Sequence, residues 1–266
     1  MKNKGLIITL IILLSIIILF LVMFLVMFLK GGINFKNGKI SIGSKSTNII
    51  YEKRYELEDI KDINIKQDAG DIIFKETTED YINVVIYGEN ENDAQVDLYS
   101  GNLSIDNTHN RRNDSFFNFG VKENDIIIYI PFSYSNEIKI KNDYGKCEIT
   151  DLENATVDID CDAGNVELGK IKNATVKCDY GNIEIKEITN KCDVKADCGS
   201  INIYTISIKE DSTIKADLGN VNINNTNDIY IDANVDLGKI NINKNFRNAS
   251  VTLKINCDCG NVTINN

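Results

Sequence analysis

Residues 157–168 read Val157-Asp158-Ile159-Asp160-Cys161-Asp162-Ala163-Gly164-Asn165-Val166-Glu167-Leu168, and this stretch decides the fold. Apolar and polar residues alternate up to Cys161, and they alternate again from Asn165 to Leu168. A period of two on both sides of a glycine means two short strands joined at a bend, each burying one face. A helix would need apolar residues at 3.6 spacing over at least about 10 residues, and no run after residue 30 has that spacing.

Working outward, the triplet Asp-x-Gly recurs at Asp143-Tyr144-Gly145, Asp162-Ala163-Gly164, Asp179-Tyr180-Gly181, Asp197-Cys198-Gly199, Asp217-Leu218-Gly219, Asp236-Leu237-Gly238 and Asp258-Cys259-Gly260. The glycines are separated by 19, 17, 18, 20, 19 and 22 residues. An eighth copy, Asp68-Ala69-Gly70, lies earlier in the chain. A repeat of about 19 residues with two alternating strands predicts an all-β fold, a parallel β-helix-like solenoid in which each coil buries its inward face by stacking on its neighbours. The glycines Gly70, Gly145, Gly164, Gly181, Gly199, Gly219, Gly238 and Gly260 are assigned to structural bends, where positive φ or a close approach is needed. Each Asp two residues earlier is expected to accept a hydrogen bond from a bend amide.

Between the eighth copy and the regular coils, 81–87, 96–105 and 126–130 read as further strands, the last ending at the chain's single proline, Pro131. The stretch 107–124 has no periodicity and reads as a loop. The organisation expected is an anchor at 1–30, a stalk at 31–56 rich in Gly, Asn, Ser and Lys, and a domain at 57–266. Within it, strands are irregular over 57–137 and the Asp-x-Gly coils are regular over 138–266.

From Leu6 to Leu29 the chain runs without a charge, and as a helix this would be about 36 Å long, enough for a bilayer core of about 30 Å. The run exceeds the apolar region of a secretory signal peptide and no small-residue cleavage site follows, so a retained single-pass anchor in the cell membrane is expected. A short basic tail, Lys2 and Lys4, before a long apolar run places the body extracytoplasmic, although Lys30, Lys36, Lys39 and Lys45 stand on the other side.

The formal charge is −10, and the anchor region holds Lys2, Lys4 and Lys30 but no acid, so the body carries −13. So acidic a surface cannot meet a phosphate backbone, which excludes nucleic acid as a partner.

On the repeated Asp-x-Gly, the flanking alternation and the Ile130-Pro131 step, the chain resembles the DUF4097 family over about residues 57–266. The resemblance implies a membrane-bound, surface-facing β-solenoid of adhesin type; some relatives belong to envelope-stress modules. It brings no catalytic residue.

The odd count of seven cysteines follows the repeat. Cys161, Cys178 and Cys257 precede Asp, where other coils have Asn142, Ala196, Ala216 and Val235, and Cys147 stands where others have Val166, Ile183 and Val221. These are expected to be small core fillers. Cys161 and Cys178 occupy equivalent positions on adjacent coils, but a spacing of about 4.8 Å is too long for a disulfide. Free thiols suit a reducing compartment better than an oxidising one, which weighs against the outward orientation. Cys257-x-Cys259 has no second pair or nearby His to make a zinc site.

The Asp column Asp143, Asp162, Asp179, Asp197, Asp217, Asp236 and Asp258 could hold a row of cations, with Asn165, Asn182, Asn220 and Asn261 nearby. The opposing reading has each Asp serving its own bend while water screens the rest. Paired carboxylates recur by accident in any repeat protein, His109 has no Ser or Cys motif around it, and no phosphate loop exists. An enzyme and a cofactor are therefore not expected. The function expected is adhesion or envelope sensing toward an unknown protein or envelope ligand. The alternative is a bactofilin-like scaffold that polymerises on the cytoplasmic face. The chain stops six residues after Gly260, so the C-terminal coil, with Val262 and Ile264, is expected to be an uncapped edge open to homo-association.

Overall fold

The computed structural model describes residues 34–36, 39–41, 48–90, 92, 94–108 and 123–265. The run from Leu6 to Leu29 and His109 lie outside the described residues. Among the described residues no helix is long and apolar enough to cross a membrane. A short antiparallel hairpin, β1 (Asn34–Lys36) and β2 (Lys39–Ser41), pairs Phe35 with Ile40 and falls in the first of two compact units.

The second unit contains every remaining strand, all in one curled sheet. Its first half comprises β3 (Ile49–Glu56), β4 (Asp62–Ala69), β5 (Ile72–Thr77), β6 (Tyr81–Tyr87), β7 (Gln95–Tyr99), β8 (Asn102–Asn107) and β9 (Asp125–Pro131). The regular half follows as β10 (Glu137–Tyr144), β11 (Cys147–Ile149), β12 (Leu152–Ala163), β13 (Val166–Tyr180), β14 (Ile183–Cys198) and β15 (Ile201–Ile206). It continues through β16 (Ser212–Leu218), β17 (Val221–Thr226), β18 (Tyr230–Leu237), β19 (Ile240–Ile242), β20 (Thr252–Cys259) and β21 (Val262–Ile264).

The alternation has the expected consequence. In β12, Val157, Ile159 and Cys161 are buried while Asp158 and Asp160 face outward, and after the bend Val166 and Leu168 are buried. Coils stack in parallel with inward residues in register: Ile140 on Ile159, Ile159 on Val176, Val176 on Val194, Val194 on Ile214. One continuous core of Ile, Val, Leu, Ala and Cys results. Burial of this stacked face supplies the main stabilisation, because a single coil has too little apolar surface to offset its ordering entropy.

The coils do not stack in chain order at either end. At the start, β4 and β5 lie directly on β10 and β11, although 75 residues separate Gly70 from Gly145. On their other side stands a coil formed by β8 and β9, with Asn107 against Gln67 and Ile126 against Ile72. This end is closed by antiparallel strands: β7 folds back on β8, β6 pairs with β9, and β3 pairs with β6.

Three boundaries differ from expectation. The single strand expected over 96–105 is the hairpin β7–β8, because Ser100 (φ 50) and Gly101 (φ 88) take the left-handed conformation of a two-residue turn. Residues 49–56, assigned to the stalk, form cap strand β3, whose Tyr55 is buried. The loop expected from 107 begins later, since Asn107 completes β8.

At the other end, β20–β21, last in the chain, is inserted between β16–β17 and β18–β19. The expectation of an uncapped C-terminal coil is therefore corrected: Val262 and Ile264 are fully buried, paired with Val221 and Ile223 on one side and Ile240 and Ile242 on the other. The physical reason is the quality of the inward face. Leu253, Ile255 and Cys257 offer more apolar surface than Ile231, Ala233 and Val235, so the stack gains more by burying β20 on both sides. The open end is β18–β19. End-to-end polymerisation of bactofilin type needs two open ends, and among the described residues the solenoid has one, which does not support that alternative.

Candidate functional site

The Asp-x-Gly corner is where the sequence concentrates its regularity, and five files of side chains run along it. The glycine file comes first. Positive φ, from +123° at Gly70 to +159° at Gly260, lets successive bends nest so closely that a Cβ on Gly181 would lie 1.8 Å from the Gly164 carbonyl oxygen. Equivalent contacts link Gly145 to Gly70, Gly164 to Gly145, Gly199 to Gly181, Gly219 to Gly199, Gly260 to Gly219 and Gly238 to Gly260. Only glycine fits.

Inside the corner, the residue before Asp is a donor to the glycine carbonyl of the preceding coil where it is Asn142, Cys161, Cys178 or Cys257. Asn142 Nδ2 donates to Gly70 O at 3.2 Å, and the thiols of Cys178 and Cys257 reach Gly164 O and Gly219 O at 3.3 and 3.4 Å. A thiol is small, apolar enough for the core and a weak donor, which explains cysteine here. All seven cysteines are free, including the register partners Cys161 and Cys178. Contact with the Cys147 thiol, together with burial, pushes Cys161 up to about 12, and burial raises Cys192. These thiols stay protonated and inert.

The hydrogen-bonding role assigned to the Asp residues belongs instead to the residue after the glycine. Asn165 Oδ1 accepts the Asn182 N–H at 3.0 Å, Asn182 Oδ1 accepts Ser200 N–H at 2.9 Å, and Ser200 Oγ accepts Asn220 N–H at 3.3 Å. Asn220 Oδ1 then accepts Asn261 N–H at 2.8 Å, and Asn261 Oδ1 accepts Lys239 N–H at 3.1 Å. At the capped end, Asp125 and Asp71 play the same part toward Asp71 and Lys146. The recurrence of Asn after Gly was the available signal.

In the middle of the Asp file, Asp179, Asp197 and Asp217 are neutralised by lysines two residues earlier, whereas Asp160 stands at that position before Asp162. Lys177–Asp179, Lys195–Asp197 and Lys215–Asp217 are ion pairs of 2.8, 2.6 and 2.8 Å. The hydrogen bond from Lys195 holds the Asp197 carboxyl below its ordinary range. Asp143 differs: burial, with Asp162 and Asp68 nearby, raises it. At Asp236 and Asp258 the lysine position is Asn234 and Asn256. Among the described residues no group of three or more His, Cys, Asp or Glu is arranged to hold a metal ion. The lysines answer the like-charge problem that suggested a row of cations.

The outermost file is the central residue of each triplet. In stacking order it reads Tyr144, Ala163, Tyr180, Cys198, Leu218, Cys259, Leu237, alternating large and small. Tyr144, Tyr180, Leu218 and Leu237 are 56%, 66%, 54% and 70% exposed. They form an apolar ridge with the small residues as notches between them. At coil spacing, neighbouring large residues stand about 9.6 Å apart. Sequence reasoning missed this ridge because the central residues differ in size and become one file only when the coils stack. A shallow depression on the cap, lined by Glu52, Tyr81, Asn83, Tyr87 and Tyr129, is a second aromatic surface.

A glycine-bent parallel β-solenoid with its distinctive side chains displayed along one outer corner defines a repeat scaffold that offers an extended face. The chain belongs to the Toastrack DUF4097 family, whose pattern it matches over residues 60–266. Among solved structures, a candidate adhesin from Bacteroides fragilis is similar over 83% of this chain and 98% of its own, at 14% identity and a TM-score of 0.45. A candidate cell adhesion protein from Clostridium sporogenes covers 81% of this chain and 98% of its own, at 13% identity and a TM-score of 0.35. A candidate lipid-binding protein from Parabacteroides distasonis covers 83% and 95%, at 13% identity and a TM-score of 0.38. No curated protein matches the sequence.

Proposed function

We propose that this chain is a non-enzymatic adhesion or envelope-sensing rod, held at the cell membrane by the run from Leu6 to Leu29 and projecting outward. The observation that carries the reading is the exposed ridge Tyr144-Tyr180-Leu218-Leu237. Large apolar side chains in a continuous file on a solenoid corner are costly in water and mark a contact surface. The Asp file beside them, ion-paired at Asp179, Asp197 and Asp217, supplies a polar rim, as in protein interfaces. The ligand is an envelope or surface macromolecule long enough to meet several coils at once.

Free cysteines are compatible with the outward orientation. Cys147, Cys161, Cys178, Cys192 and Cys257 are buried, and oxidation requires an accessible thiolate. Cys198 and Cys259 are partly exposed but separated by the Leu218 coil.

The test has two arms. Protease treatment of intact cells removes an outward domain, whereas protection until lysis places the domain inside and rejects the orientation. Cells displaying the chain with Tyr144→Ser, Tyr180→Ser, Leu218→Ser and Leu237→Ser together should lose adherence to coated surfaces at an unchanged display level. Retained adherence removes the ridge as the contact surface.

A further inference from the structure

The solenoid's open end has properties that its interior coils lack. Among the described residues, β18 pairs only with β20 and β19 only with β21. The Tyr230 N–H donates to Val251 O, so by strand alternation Asp232 and Asn234 also point their backbone groups toward β20, while Ile231, Ala233 and Val235 point theirs outward. Ile231 is already served: its N–H donates to Asn245 Oδ1 at 2.9 Å, and its carbonyl accepts from Asn245 Nδ2 at 2.7 Å. One side-chain amide thus mimics a neighbouring peptide group at the start of the edge. Among the described residues Ala233 and Val235 have no such cover.

The core is also open here. Ile240 stands in register with the fully buried Val262, yet it is 45% exposed, and Ala233, Val235 and Ile242 are only partly buried. Charge adds direction. Three interior coils pair Asp179, Asp197 and Asp217 with a lysine two residues earlier, but the last two coils have Asn256 and Asn234 there, and Asp236 receives a 3.4 Å contact from Asn234 Nδ2. Asp232 stands in register with Lys254 of β20, and Lys239 follows the bend on the β19 side. Asp236 and Asp258 are left without an ion pair among the described residues.

We propose that the β18–β19 edge binds an extended segment of a partner protein with lysines at alternate positions, which adds to the sheet as one further coil. Its backbone pairs with Ala233 and Val235, its apolar face covers Val235, Ile240 and Ile242, and a lysine of the segment neutralises Asp236 from the adjacent coil, as Lys177 reaches Asp160 on the coil beside it. A second copy of this chain is a poorer occupant. Antiparallel pairing of β18 with itself through Ala233 and Val235 sets Asp232 of one copy against Asp236 of the other, a like-charge pair.

The probe is a fluorescent peptide, Thr-Ile-Lys-Val-Lys-Ile-Lys-Val, titrated with the full-length chain in detergent micelles and read by anisotropy. Saturable binding is expected, weakened about threefold by Asp236→Asn and abolished by Ala233→Pro, which removes an outward N–H at an edge position that tolerates proline. Should Ala233→Pro fail to match the wild-type melting curve, N-methylation of alternate peptide residues reads the same backbone pairing on unaltered protein and should also abolish binding. No saturation, undiminished binding of the N-methylated peptide, or equal binding of the peptide with Glu for Lys overturns the proposal. A wild-type dimer that Ala233→Pro converts to monomer overturns it in favour of a second copy.

Discussion

The Cβ that Gly181 lacks would lie 1.8 Å from the carbonyl oxygen of Gly164, one coil away. No side-chain rearrangement can relieve a clash between Cβ and backbone, so the two coils would have to separate. With the φ of +154° added, Gly181→Ala is expected to destabilise the solenoid by at least about 3 kcal/mol. Urea unfolding of the variant measures this, and a loss below about 1 kcal/mol would contradict the nesting of the bends.

Asn220→Ala removes the acceptor for the Asn261 N–H and should cost about 1 kcal/mol. Asp197→Asn weakens a part-exposed ion pair with Lys195 and should cost less than about 1 kcal/mol. Paired denaturation curves distinguish the two files. A larger loss at Asp197 than at Asn220 would return the bend amides to the Asp residues.

Alkaline pH should loosen the solenoid through its thiols. Cys161 ionises near its ordinary 9.0 in the unfolded chain but is pushed up to about 12 when folded. Between those values the unfolded chain binds fewer protons, so stability is fully present below pH 9 and falls as pH rises toward 12. Cys178 is raised in the same direction by contact with Cys161 and by burial. Alanine occupies the equivalent position in two other coils, so Cys161→Ala with Cys178→Ala should fold and show a shallower alkaline loss. Tyr55 and Tyr134, also raised by burial, should keep some loss in place. Thermal melts from pH 8 to 11 provide the comparison.

Calcium should leave the melting temperature unchanged between chelator and millimolar ion, because Lys177, Lys195 and Lys215 already occupy the positions a cation would neutralise. A rise with calcium would mean binding to the folded state alone.

Much of the corner was legible in the chain itself. The alternation around Gly164 identified the inward residues Val157, Ile159, Cys161, Val166 and Leu168, and the recurrence of glycine located the bends of the Asp-x-Gly coils. These are local facts, since side-chain period and glycine's freedom at positive φ act within a few residues. The exposed Tyr144-to-Leu237 ridge was present in the same triplets. It was overlooked because its members differ in size and become one file only when stacked.

The sequence by itself determined the coil: its two strands, its bend, its buried face and its acidic exterior. Tertiary structure alone decided the order of the coils, the insertion of β20–β21 beneath β18–β19, the closure of one end by β3, β6 and β7, and the partner of each polar side chain along the corner. The reason is that similar coils can stack on one another in many orders at comparable local cost. What separates those orders is the apolar surface covered by the whole stack, a sum over residues as distant as Ile223 and Ile264 that no window of sequence contains.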